Sequence, residues 1–92
     1  MKKQRVHVWI TGRVQGVFFR AYAQDAARRT GVAGWIRNLR DGRVEAVFEG
    51  DEDSIERMIS WCHEGSPLGR VDRVEAVQEV YTGEFNGLTI TH

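Results

Sequence analysis

Gly12-Arg13-Val14-Gln15-Gly16-Val17-Phe18-Phe19-Arg20 joins two glycines, a run of backbone amides and an arginine where a helix is about to begin. Amides in a helix's first turn have no partner within the helix, and the helix dipole favours negative charge beside them. Gly16 can adopt a backbone conformation that turns successive amides inward as an anion nest. A guanidinium next to that nest can grip two phosphate oxygens at once. Arg20 opposes the helix dipole, so its position asks for a compensating anion, which a nearby Asp would supply as well as a ligand. An ordinary strand-to-helix connection would read the same way. The loop has neither the Gly-Lys-Ser/Thr of a nucleoside-triphosphate P-loop nor a G-x-G-x-x-G.

A second segment, Gly34-Trp35-Ile36-Arg37-Asn38-Leu39-Arg40-Asp41-Gly42, places Asn38 near the end of a strand, where β-propensity does not favour it. Its amide both donates and accepts, which suits orienting a water molecule. The alternative is a turn residue beside the Asp41-Gly42 hairpin, and chemistry alone favours that alternative.

The elements that must carry these residues follow from periodicity. His7, Trp9 and Thr11 alternate with Val6, Val8 and Ile10, which predicts a strand over 6–12. Phe19, Tyr22, Ala23, Ala26 and Ala27 fall at helical spacing, which predicts a helix over about 18–30, closed by Gly31. Strands are expected over 32–37 and 44–49, joined by the Asp41-Gly42 turn. Asp51 or Asp53 can cap a second helix whose apolar stripe is Ile55, Met58, Ile59 and Cys62, with Gly65 at its end. Val71 to Tyr81 reads as a long fourth strand, and Leu88-Thr89-Ile90 as a short last one. This βαββαβ order, with one apolar side on each helix, implies an α+β ferredoxin-like sandwich. Both helices should cover one face of an antiparallel sheet, followed by a short C-terminal strand. That architecture alone assigns no function.

Ninety-two residues suffice for one domain, expected to span 1–92. No apolar run is long enough to span a bilayer, and no signal-peptide core is present. The single cysteine excludes an intrachain disulfide framework, and a cytoplasmic protein is expected. A formal net charge of zero conceals +8 over residues 1–43 and −8 over residues 44–92. The basic residues are spread over several elements, which favours pairing between the halves over a nucleic-acid patch.

Gly12-x-Val14-Gln15-Gly16-Val17-x-Phe19-Arg20 resembles the first signature of the acylphosphatase family. Gly34-Trp35-x-x-Asn38-x-x-x-Gly42-x-Val44, with Gly50 after it, resembles the second, in the family's order and separation. The resemblance runs over about residues 4–91 and agrees with the βαββαβ order. It implies hydrolysis of acyl phosphates to a carboxylate and inorganic phosphate. In that reaction Arg20 and the amides of Gln15, Gly16, Val17, Phe18, Phe19 and Arg20 hold phosphate, and Asn38 positions water. It implies no metal and no cofactor. The expected partner is a small-molecule acyl phosphate, with no nucleic acid or membrane, and a monomer is expected. Two departures stand out. Ile36 replaces the smaller residue usual two before Asn38, which could alter packing beneath it. The ending Leu88-Thr89-Ile90-Thr91-His92 lacks the basic or aromatic close common in relatives, so a contact between this segment and the site is left open.

Other residues suggest chemistry more weakly. His7, His63 and His92 are not at metal-ligand spacing, and Cys62 continues a core stripe as an inert thiol. Trp9 could cover a sheet face or stack a base, and Trp61 could pack at an edge. The Phe18-Phe19 pair does not match the aromatic signature of RNA-binding sheets. Two other functions remain in view. One is a carbamoyl-phosphate-handling module like that of hydrogenase-maturation proteins, disfavoured by the short chain. The other is a nucleic-acid-binding domain, suggested by the basic first half.

Overall fold

The β-branched and aromatic alternation near the N-terminus builds a central strand. In the computed structural model, which describes residues 2–92, it forms β1 (Lys3–Arg13). The chain continues through α1 (Phe19–Thr30), β2 (Ala33–Asn38), β3 (Val44–Asp51), α2 (Glu52–Glu64), β4 (Arg70–Glu79) and β5 (Leu88–Ile90). The sheet order is β4-β1-β3-β2-β5. The first four strands pair antiparallel, as expected, while β5 joins β2 in parallel and makes the sheet mixed. None of the described helices is long and apolar enough to cross a membrane.

Side chains alternate across each strand, so Val6, Val8 and Ile10 of β1 point the same way as Val44, Ala46 and Phe48 of β3. They meet Phe19, Ala23, Ala26 and Ala27 of α1 and Ile55, Met58 and Cys62 of α2, making one core between sheet and helices. The expected α1 stripe is corrected at Tyr22, which is exposed. It lies roughly a quarter-turn of the helix from the centre of the buried residues, at the edge of what the sheet can cover. Asp51 stands at the N-cap position of α2 but makes no side-chain cap bond; its carboxylate pairs with Lys3 Nζ at 2.9 Å. Trp61 leaves the main α2 stripe and packs on Phe19 with ring centroids 5.0 Å apart.

The opposite face of the sheet carries the charges. The chain from β4 to β5 (residues 80–87) runs between the two outer strands, and Glu49 on β3 ties it down. Its carboxylate accepts from the Thr82 amide (2.9 Å), the Gly83 amide (3.0 Å) and the Thr82 hydroxyl (3.1 Å). Arg5 binds Glu49, Glu79 and Glu84, Arg37 binds Glu45, and His7 lies between Glu45 and Glu79. These pairs join the basic first half to the acidic second half. Trp9 stacks on His7 at 4.1 Å within the same layer.

Candidate active site

The loop between β1 and α1 is held by three apolar plugs. Val14, Val17 and Phe19 are all buried, while Gln15, Gly16 and Phe18 between them turn outward. The alternation fixes the loop backbone without a disulfide or a metal. Gly16 has φ 72°, and a Cβ there would meet nothing within 4 Å. Its glycine is therefore required by backbone conformation, with open space beside the chain. Phe18 also lies in the left-handed region, at φ 61° and ψ 25°, and serves as the N-cap of α1 without a side-chain cap bond. The first turn of α1 contains no acidic residue, so its free amides and dipole are not neutralised from within the helix.

Arg20 follows one residue into α1. Among the described residues, no carboxylate pairs with it. The nearby Asp that could have compensated the helix-start arginine does not do so. Asn38 closes β2 opposite Val44, and its Oδ1 is buried with no hydrogen-bond partner among the described residues. A buried amide oxygen in that state costs free energy unless a donor reaches it.

These residues meet at one cavity of about 400 Å³. Gln15, Gly16, Phe18, Phe19, Arg20 and Asn38 all line it, and among the described residues Arg20 is the only charged one in the lining. Of the residues expected at a phosphate site, Val17 alone contributes no lining; its side chain serves as a core plug. Val14, Ala21 and Ile90 complete the wall. Ile90 answers the question left open by the C-terminal ending, because β5 does reach the cavity. Its sequence signal is faint, since a three-residue strand carries no usable period.

The Gln15 side chain does work that its place in an amide cradle did not suggest. Its Nε2 donates to the carbonyls of Leu39 (2.7 Å) and Arg43 (2.9 Å), clasping the turn that follows Asn38. Within that turn Leu39 N–H binds Arg43 O at 2.8 Å, and Asp41 accepts from both the backbone and the guanidinium of Arg43. The Arg43 guanidinium holds the Asp41 carboxyl below its ordinary pKa. Loop and hairpin are thus bonded to each other directly.

Cys62 lies in the core, where burial pushes its thiol up to about 12 and leaves it inert as a nucleophile near neutral pH. Among the described residues, no group of three or more His, Cys, Asp or Glu is gathered as a metal ion would need.

A family model described as Acylphosphatase matches residues 6–90. A curated acylphosphatase from Syntrophobacter fumaroxidans is 59% identical over 91 residues, covering 99% of this chain and 94% of the relative. Among solved structures, an acylphosphatase from Bacillus subtilis superposes with a TM-score of 0.92 at 30% identity, covering 97% of this chain and 99% of that one. A T. kodakarensis HypF structure superposes at 0.83 with 31% identity, over 97% of this chain and 12% of that one.

Proposed function

Because this chain belongs to the acylphosphatase family, we propose that Arg20 and the 15–20 amides bind the phosphoryl group of its substrate while Asn38 orients the attacking water. The protein is an enzyme that hydrolyses acyl phosphates. The observation that carries the residue assignment is that Asn38, whose buried Oδ1 has no partner among the described residues, lines the same cavity as Arg20, which no described carboxylate pairs, and the opening turn of α1.

Water attacks phosphorus in line. A new P–O bond forms as the bond to the acyl oxygen breaks, and the electron pair leaves with the carboxylate. A carboxylate departs without being protonated, so no general acid is required. What remains is positioning and neutralising the charge spread over the equatorial phosphoryl oxygens. The amides and the Arg20 fork do the neutralising, preorganised by the three core plugs. The Asn38 side-chain amide hydrogen-bonds the water and aims its oxygen at phosphorus. Product phosphate carries the water's oxygen and keeps at least one of its protons; the other passes to solvent as the phosphate ionises.

The same proposal makes the chain a monomeric, single-domain, metal-independent enzyme of the cytoplasm, with no nucleic-acid partner. The cross-half ion pairs support the last point, since they occupy basic side chains that a polyanion would otherwise need. The test is acetyl phosphate hydrolysis in the presence of a chelator. Wild type turns over, and Arg20→Lys, which keeps the charge but loses the fork, falls by roughly a hundredfold or more. Full activity in Arg20→Lys, or activity that vanishes with the chelator, contradicts the assignment.

A further inference from the structure

Binding of the phosphoryl group leaves the other half of the substrate without a partner, and the same cavity has an apolar side. We propose that Phe18 and Ile90 form the wall that receives the acyl group, making the enzyme selective for acyl phosphates whose acyl chain is apolar and several carbons long. The proposal rests on the phosphoryl half of the site working as described above.

Phe18 is 68% exposed, yet its backbone is held in the left-handed region, which a bulky side chain rarely adopts. An exposed aromatic in a strained conformation returns little to folding, and strain of this kind collects at ligand sites. Its neighbours Val17 and Phe19 are both buried, so the backbone on either side is anchored and the Phe18 ring cannot trade places with theirs. Ile90 meets the cavity from the C-terminal strand, and that strand is pinned on two sides. Ile90 pairs with Ile36 and the Thr91 amide donates to Ile36 O at 2.9 Å; Gln24 of α1 donates to Leu88 O at 2.9 Å. Neither side chain can bond a phosphoryl oxygen or a departing carboxylate. Both can cover methylene groups. With Arg20 as the only lining charge among the described residues and already engaged by phosphate, an anionic acyl chain finds no counter-ion there.

The test compares kcat/KM for acetyl phosphate, hexanoyl phosphate and succinyl monophosphate. The first two leave as carboxylates of nearly equal basicity, so their ratio reads the acyl contact rather than bond reactivity. Wild type should favour hexanoyl over acetyl phosphate by roughly tenfold, with the anionic succinyl compound poorest. Phe18→Ala and Ile90→Ala should each lower the hexanoyl-to-acetyl ratio by about threefold or more, mainly through KM, and Phe18→Leu should restore part of it. A simple loosening of the loop or of β5 would lower both substrates together and leave the ratio alone; that result overturns the proposal. So does a wild-type ratio near one. If wild type hydrolyses none of the three, the phosphoryl assignment fails first and this one with it.

Discussion

Two residues at the head of α1 each carry a cost. Arg20 places a cation against the positive end of a helix dipole, and Phe18 places a large side chain at φ 61°. Neither cost is recovered in the core, because the Phe18 ring is largely exposed and Arg20 has no carboxylate partner among the described residues. Phe18→Gly removes the left-handed penalty of about 1–2 kcal/mol, against a loss of about 0.5–1 kcal/mol from the looser unfolded chain. A small net gain in stability is expected, seen as a rise of a few degrees in melting temperature. A fall of several degrees would mean that the ring is a packing residue after all. At this scale the sequence was highly legible. Residue type singled out Gly16, Arg20 and Asn38 but left an ordinary loop and turn open; only the resemblance to the two acylphosphatase signatures gave them roles, and all three line one cavity. What residue type could not reveal was backbone sign at Phe18, since nothing about phenylalanine announces a positive φ.

Between elements, the decisive contact is the Gln15 side chain across to the β2–β3 turn. It joins the loop proposed to hold phosphate to the strand proposed to hold water, so their separation does not depend on sheet packing alone. Gln15→Ala deletes two donated bonds and should cost about 1–2 kcal/mol, because both carbonyls keep a second donor within the turn. Turnover should fall by more than the inhibition constant for inorganic phosphate rises, since the phosphate amides stay while Asn38 drifts. An equal change in both would confine the effect to the loop. This contact spans 24 and 28 residues, and no local pattern encodes it. The strands and helices were legible for the opposite reason: period-two and helical stripes are local, and α1, α2 and β3 appeared close to where the apolar spacing put them. Glycine closings at Gly31 and Gly65 were equally readable.

Across the whole molecule, the sheet has two faces of different chemistry. One buries the hydrocarbon core under two helices; the other buries carboxylates among cations. Glu49 is only 4% exposed and Glu45 only 7%. Alternation alone would have set both in solvent on an open face. For Glu49 the chain from β4 to β5 changes that, through Thr82 and Gly83, and its path depends on a terminal strand too short to show a pattern; Glu45 is held between the side chains of His7 and Arg37. Burial by itself would raise both pKa values. Bonds from the Thr82 and Gly83 amides and Arg5 to Glu49, and from His7 and Arg37 to Glu45, outweigh burial and hold both below the ordinary 4.5. A carboxylate with a depressed pKa in the folded state contributes stability that is present above its unfolded pKa and lost as pH falls through the folded one. Melting temperature should therefore hold above about pH 5 and decline in more acid solution. Glu49→Gln should flatten part of that decline while lowering stability at neutral pH. An unchanged acid limb in Glu49→Gln would show that other carboxylates govern it.

The central claim is that Asn38 serves the water while Arg20 and the loop serve the phosphate. Turnover of acetyl phosphate by Asn38→Ala, measured alongside inhibition by inorganic phosphate, tests it most directly. The account predicts that turnover drops by roughly a hundredfold while phosphate inhibits at a concentration close to that for wild type. Normal turnover, or phosphate inhibition lost in step with activity, would contradict it.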